Sequence, residues 1–570
     1  VWVNRIYGGL PISIGLLILI CMAWILSCNQ YPLEVLSGDA ADFYAPLKSV
    51  FIFQDFTSQQ SASNLVLHGR DGTYNVHTVG LAILWLPFFL TAYVLSKITG
   101  MPADGVSFWF QWSTLAAASL ALWTGFVALY KLFKLWNTSA VTLHLVCVGL
   151  LAATNLAYYT WAEPGMSHVY AFALIAWFLY FSYQLATKQN SSVVQKWFIL
   201  WGLLVLLRPF HVIWGIAPFF WNYNGRFYKT QFLNTSALKG FLFFLGIVSI
   251  QAWVWLGLTG CVYKDTYPAD GFYFSHPQVF KFLISPEAGW LFYTPFAGVC
   301  LIGWFRGVFY KTHANVIALI FIAVSVYVLS SFWAYNYFDG WGIRIMVDYL
   351  PLLAIGGVYV CEAASVRIKN VRLGLAMLTP MVLWTGLFTY QAQAGIMPRT
   401  GMTWNQFKYL FGKTDAAYAN CLGGWHEPTP YASKTPLPLS EQHLQHAFFV
   451  TKNNWEYTPA LSHRLTASTN RLFVKFCLKR HEIKAGSSTK AMLCIIIKRP
   501  GQDSPLAYTQ TLLNETPNDP LNAEYRYSQS VCGDFKTGDT VATYIWNPQK
   551  TNFSLSEFIV SFYSYAYDIS

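Results

Sequence analysis

Charged side chains are scarce in this 570-residue chain: Asp, Glu, Lys and Arg together make up 11%, against about 25% in an average soluble domain. That shortage excludes an ordinary water-soluble globular protein. The ten cysteines form no CxxC pair and no Cys/His ligand spacing, and Cys21, Cys147, Cys300 and Cys361 fall inside apolar runs, so no structural zinc site is implied. A glycine-rich strand-to-helix phosphate loop is also missing, as is any cytoplasmic segment long enough to be a nucleotide-sugar domain. No period points to a repeat architecture. What is present is 55% hydrophobic residues with a mean hydropathy of +0.37, the balance of a multi-pass membrane protein. Twenty-four Trp and 35 Tyr suit aromatic belts at the water interface or sugar-stacking surfaces, and composition does not separate the two.

Apolar runs fall at about residues 8–27, 78–97, 106–134, 139–160, 168–187, 193–222, 237–261, 289–305, 313–333, 345–362 and 370–390. Most can cross about 30 Å of hydrocarbon as helices. The first resembles a signal peptide but lacks a small-residue cleavage site, and it reads as an anchor with a cytoplasmic N-terminus. The net charge of +11 is spread over small clusters between the runs: Lys131/Lys134, Lys188/Lys196, Arg226/Lys229/Lys239, Arg306/Lys311 and Arg367/Lys369/Arg372. This is the pattern of cytoplasmic loops, so the charge is read as orientation and no nucleic-acid partner is expected. All five clusters lie inside if 78–97 does not fully cross and 193–222 is a hairpin broken near Arg208-Pro209. The expectation is an all-α polytopic domain of about eleven transmembrane helices plus one interfacial or re-entrant helix. The alternative lets 78–97 cross and makes 193–222 a single span.

That topology puts residues 28–77 on the outer face as a loop with interfacial helices, and the helical domain ends near residue 395. Residues 396–445 read as a periplasmic connector rich in Gly and Pro. Residues 446–570 carry short β-rich runs, 471–478, 491–498, 540–546 and 557–565, and read as a periplasmic β-sandwich. Cys421, Cys477, Cys494 and Cys532 lie in this region, where an oxidising compartment permits a disulfide whose pairing the sequence does not give. Tyr544, Trp546, Tyr563 and Tyr565 at strand spacing are read as core in preference to a sugar platform.

Polar residues on the outer side are the candidates for chemistry. Asp39 and Asp42, at i and i+3 in Gly38-Asp39-Ala40-Ala41-Asp42-Phe43-Tyr44, share one face of a helix, where partial desolvation can make one of them a base. The competing reading is a capped, solvated helix start. His77 sits at the mouth of the 78–97 run, and Glu163 and His168 flank a turn that is either a cavity wall or an ordinary wet turn. Arg208 and Arg344 lie at or near hydrocarbon depth, where a guanidinium needs a partner or a function, and its planar fork suits phosphate. Asp348, one turn beyond Arg344, offers an intrahelical ion pair as the alternative. Lys264, Asp265, His276 and Glu287 belong to a segment that could cover a site.

In order along the chain, GDAADFY, YNVHTVGLAILWLPFF, AEPGMSHVYAF, LLRP, SPEAGWLFYTP and FDGWGIRIMVDYLPLL resemble the bacterial GT-C-fold glycosyltransferases that use polyprenyl-phosphate sugars, the class of protein mannosyltransferase-like and aminoarabinose-transferase-like enzymes. The resemblance covers about residues 1–395. It implies a membrane enzyme of the bacterial inner membrane that moves a sugar, with inversion, from a polyprenyl-phosphate donor to a glycan, lipid or protein acceptor at the periplasmic face. Asp39 is then the expected general base, with Asp42 in reserve. Arg344, Arg208, His77 and Lys264 are the expected phosphate contacts, and Glu163, His168, Tyr44 and Glu287 the cavity residues. Glu287 departs from relatives with a basic or small residue in the SP-x stretch. No cofactor is expected; Asp39 and Asp42 could share an ion, but metal independence is favoured. The rival reading is a secondary transporter or flippase, which also suits membrane-depth Arg and His, although no inverted repeat is visible. A third is a non-catalytic scaffold displaying a sugar-binding sheet domain.

Overall fold

The computed structural model describes residues 15, 35–36, 38–57, 67–68, 73–74, 77–187, 191–222, 224–264, 271–310, 314–336, 341–365, 371–398, 402–415, 418–419, 437–444, 456–482, 491–513, 523–548, 550 and 553–564. The chain divides into two units. The first comprises Val1–Val279, Thr294–Trp333 and Arg344–Thr385, and the second Phe280–Tyr293, Ala334–Ile343 and Gly386–Ser570. Two pieces of the region read as one helical domain, 280–293 and 334–343, therefore group with the C-terminal part of the chain.

The first unit is helical. Among the described residues five segments are long and apolar enough to cross a membrane: Gly80–Thr99, Phe108–Leu135, His168–Thr187, Thr235–Thr259 and Arg344–Glu362. Five more apolar helices, Ala140–Ala152, Ser191–Leu207, Pro209–Phe220, Pro295–Val308 and Asn315–Ser330, are shorter. The expected first span, 8–27, lies outside the described residues except for Gly15. One run read as a single span is broken, and the run read as a broken hairpin is broken where expected. The 139–160 run stops at Ala152 and restarts at Leu156, whose N–H is taken by the Thr154 hydroxyl at 3.2 Å. The 193–222 run breaks at Arg208, which is extended (φ −152°, ψ 119°) ahead of Pro209, as a residue preceding proline tends to be. Beyond the break a 3-10 helix, Pro209–Phe220, folds back on Ser191–Leu207, with Trp201 donating to the Val212 carbonyl at 3.1 Å. The 78–97 run, read as interfacial or re-entrant, forms a 20-residue helix that has the length and apolarity of a span.

Small residues set the closest packing. A Cβ on Gly303 would collide with the Gly356 carbonyl, and one on Gly356 with the Cys300 carbonyl, so helices Pro295–Tyr310 and Leu350–Ser365 pack backbone on backbone, as small residues allow between apolar helices.

Among the described residues of the second unit, eight strands form two antiparallel sheets. The residue ranges are β3 Leu437–Leu444, β4 Leu461–Arg464, β5 Thr469–Glu482, β6 Met492–Lys498, β7 Ala507–Leu512, β8 Ala523–Phe535, β9 Thr540–Trp546 and β10 Phe553–Ser564; β1 Leu67–His68 and β2 Thr73–Tyr74 are a two-residue pairing in the first unit. The sheet orders are β3-β10-β5-β8 and β4-β9-β6-β7. Their facing side chains, among them Val474, Phe476, Phe558 and Val560 from one sheet and Leu493, Ile495, Val541 and Ile545 from the other, share one core. The sandwich begins earlier than the expected residue 446, because β3 lies in the stretch read as connector and pairs with β10. The same stretch holds a helix, Trp404–Leu410, closed by a capping box in which Thr403 and Gln406 bond each other's backbone.

Three aromatics read as core turn out otherwise; one of them, Tyr563 on β10, is half-buried beside the buried Phe562. Along β9 the residues Val541, Thr543 and Ile545 are buried while Tyr544 and Trp546 are half-buried, because a strand's period of two sends them to the face opposite the core. Tyr565 lies outside the described residues. Cys532 is disulfide-bonded, whereas Cys494 is a free thiol.

Candidate functional site

A group of polar residues of the first unit gathers where five chain segments meet. The helix Asp39–Phe51 starts from Gly38, whose φ of 55° lies in the left-handed region open to glycine. Asp39 and Asp42 occupy its first turn, where exposed backbone N–H groups favour negative charge. The turn is pressed against the 163–168 segment: a Cβ on Gly165 would sit 2.4 Å from the Ala40 side chain and 2.9 Å from the Val35 carbonyl. Glycine is required there for the approach.

His77 is set down beside the same turn. Its ring stacks on Phe43 at 4.1 Å with the planes 22° apart. The following residues are clamped to the end of helix Ser191–Leu207: Thr78 donates to the Leu207 carbonyl at 3.0 Å, and a Cβ on Gly80 would lie 2.4 Å from the Leu206 carbonyl. The next residue in that direction is Arg208, which brings His77 and Arg208 within electrostatic reach of Asp39.

Two guanidiniums define the cluster. Arg344 donates from Nη2 to Asp39 Oδ2 at 2.9 Å, across a sequence separation of 305 residues. Arg208 is held three ways: Nε donates to Ser167 Oγ at 2.9 Å, Nη2 lies 3.2 Å from His168 Nε2, and Nη1 lies 3.5 Å from Asp348 Oδ2. Asp348 is fully buried and is also approached by His168 Nδ1 and His211 Nε2, each at 3.0 Å. The partners fix one tautomer. Arginine only donates, so His168 Nε2 accepts from Arg208 and the His168 proton sits on Nδ1, donated to Asp348.

Burial by itself would raise the Asp39 carboxyl. Arg344, followed by His77 and Arg208, outweighs it and holds Asp39 below the ordinary carboxylate range. Burial pushes the His77 imidazole down, against the pull of Asp39 and Asp42, and the two arginines add to the lowering. Asp39 is thus ionised and His77 largely neutral near pH 7.

The cluster therefore brings together Asp39, Asp42, His77, Arg208, Arg344 and His168. Tyr44 is 1% exposed and packs on Trp85 and Phe89 in an aromatic core, so it lines no cavity. His168 is likewise 1% exposed and is engaged by Asp348 and Arg208. Glu163 accepts from Tyr158 of the preceding helix at 2.9 Å. Lys264 is exposed, beyond the end of Thr235–Thr259; Asp265 lies outside the described residues. His276 is exposed and meets Ser275 at 2.9 Å. Glu287 belongs to the second unit, where it accepts from Tyr335 at 2.7 Å and Asn336 at 3.3 Å.

The alternative pairing of Arg344 with Asp348 does not form. Arg344–Tyr349 is a 3-10 helix, and at three residues per turn a residue four places on is rotated about 120° away. Reading an α-turn there hid the role of Asp348 as the partner of two histidines and Arg208. His211, three residues after Arg208, and Ser167 were also missed. The available signal was Asp348 itself, a carboxylate inside an apolar run, which demands partners as strongly as an arginine does.

Among the described residues no group of three or more His, Cys, Asp or Glu side chains is arranged to hold a metal. No protein-family model, curated protein or solved structure matches this chain.

Proposed function

We propose that this chain is an integral membrane glycosyltransferase that moves a sugar from a polyprenyl-phosphate donor to an acceptor hydroxyl at the periplasmic face of a bacterial inner membrane. The observation that carries the reading is the meeting of an ionised carboxylate, Asp39, with two guanidiniums, Arg344 and Arg208, beside helices apolar enough to span a bilayer. In the reaction the acceptor oxygen forms a bond to the anomeric carbon as the bond from that carbon to the phosphate oxygen breaks. The hydroxyl proton passes to Asp39 and the leaving electron pair stays on the phosphate. Attack opposite the leaving group inverts the centre. A phosphate ester is already a good leaving group, so the protein's task is positioning and stabilising the departing charge, for which Arg344 and the three-point-held Arg208 are suited. Asp42, fully buried in the same helical turn, is the reserve base.

The disulfide at Cys532 supports placing the sheet domain in an oxidising compartment, which agrees with an outward-facing reaction. Acceptor classes are a glycan, a lipid or a protein. The test is transfer from a panel of polyprenyl-phosphate sugars by the full chain in nanodiscs, read by mass spectrometry alongside surface glycans from a deletion strain. Loss of transfer in Asp39→Asn and Arg344→Gln with the fold retained supports the reading. Solute flux in proteoliposomes without any transfer product replaces it with the transporter.

A further inference from the structure

Two arginines of opposite habit sit in one cluster. Arg208 is immobilised by Ser167, His168 and Asp348, and Asp348 is itself enclosed by His168 and His211. Its charge has a buried counter-charge that cannot leave. Arg344 meets Asp39 through a single Nη2–Oδ2 contact of 2.9 Å, and the Asp39 side chain is 32% exposed.

We propose that the Asp39–Arg344 ion pair is a latch: Asp39 occupies the Arg344 guanidinium until a phosphate-bearing ligand takes it, and the displaced carboxylate is thereby delivered to the acceptor hydroxyl. The identity of the ligand as a lipid-linked phosphate and of Asp39 as base rests on the function proposed above; the competition for Arg344 does not. Three features favour exchange. A one-donor contact gives up less than a bidentate fork. A displaced Asp39 still faces Arg208, whose charge acts on it already, so its own charge is not stranded. It also remains in the first turn of a helix, beside N–H groups that welcome an anion. Arg208, locked by the Asp348 group, keeps the anion site charged while the latch turns.

The latch makes a counterintuitive prediction for binding. Asp39→Asn deletes the internal competitor, so farnesyl phosphate should bind the full chain in nanodiscs about tenfold more tightly, a change of ~1.4 kcal/mol, even though transfer is lost. Arg344→Gln should weaken binding at least as much, and in Asp39→Asn/Arg344→Gln the gain should vanish relative to Arg344→Gln alone. Asp42→Asn, which removes a nearby charge without opening the latch, should leave affinity within about twofold. If Asp39→Asn destabilises the chain, Asp39→Ser takes its place in the same cycle. Unchanged or weaker binding in the Asp39 variants, a gain that persists without Arg344, an equal gain in Asp42→Asn, or no phosphate binding by any form would each overturn the latch. Inorganic phosphate run in parallel identifies the source: the full cycle with inorganic phosphate supports a latch that answers to free anion, and the cycle with farnesyl phosphate alone supports one that answers to a lipid headgroup. Transfer is assayed separately. A wild type that shows the cycle but no transfer sinks the glycosyltransferase reading and keeps the latch, while transfer without the cycle does the reverse.

Discussion

The molecule contains two Asp–Arg pairs built in opposite ways. In the sheet domain Arg499 grips Asp539 with both arms of its fork, Nε to Oδ1 at 2.9 Å and Nη2 to Oδ2 at 2.8 Å, and the Lys536 N–H adds a third donor at 2.8 Å. Asp539 is 1% exposed. In the helical unit Arg344 touches Asp39 through one nitrogen, and that carboxylate is a third open. Both carboxyls are held below their ordinary range after burial has been outweighed, so charge state alone does not tell them apart. The distinction is in saturation. Asp539 closes the turn between β8 and β9 and has no geometry left to offer a ligand, whereas Asp39 has half its contacts still to make. An incomplete ion pair is the one with a contact left to offer a ligand.

The comparison breaks most sharply at Asp39. Asn in its place keeps the shape and removes the proposed base, so transfer should fall about 10³-fold, within the range of general-base catalysis. Thermal unfolding in detergent should stay within a few degrees of wild type. A comparable loss of stability would make Asp39 structural and erase the contrast with Asp539.

The Asp348 group should respond in the opposite sense. Removing that buried carboxylate by Asp348→Ala leaves His168, His211 and Arg208 without their shared acceptor, and should cost about 3 kcal/mol of stability, as stripping one partner from a buried charged group does. Denaturation of the purified chain checks this. Wild-type stability in the variant would mean that Arg208 is not locked, and the two arginines of the site would then be alike.

How much of this was legible beforehand follows from which interactions are local. The apolar runs marked the helical part because burial in lipid is written in composition, and the break at Arg208-Pro209 because proline restricts its neighbour's backbone. The β-rich runs marked the sheets, but β3 stayed hidden: LPLSEQHL has no alternating apolar pattern, being a strand at the sheet margin paired on one side only. Arg208 and Arg344 were singled out as charges in costly places, Asp39 by its spacing to Asp42 and His77 by its place at a helix mouth. Their grouping depends on tertiary approaches set by Gly165 and Gly80, which no local spacing encodes. The partner of Arg344 was misread for a further reason, the 3-10 geometry of Arg344–Tyr349, which moves Asp348 off its face.

Those approaches supply a finer test of the open pair. In Gly165→Ala the added methyl meets Ala40 and the Val35 carbonyl, and the Asp39 turn must give way at a cost of about 2 kcal/mol, typical of overpacking. Because the turn carries the proposed base, transfer should fall more than stability would suggest. Equal loss in both would make Gly165 a packing residue only, with no hold on where Asp39 sits.

The smallest expected effect lies in the closed pair and has a pH signature. Asp539 is ionised in the folded state below its ordinary range, with burial opposing and Arg499 and the Lys536 N–H prevailing. A carboxyl depressed on folding contributes stability above its unfolded value of about 3.9, and that contribution is lost as pH falls through the lower folded value. Hydrogen exchange of peptides from β8 and β9 in the full chain should therefore accelerate below about pH 4 in wild type. In Asp539→Asn it should already be faster at pH 7, by the equivalent of about 1.5 kcal/mol for a charge-assisted contact, and its acid dependence should be shallower. Arg499→Gln should behave in the same way, since one fork serves both residues. Acid dependence unchanged in either variant would show that the turn is held by its backbone, and saturation of the pair would no longer explain why Asp539 and Asp39, with their similar charge, have different work.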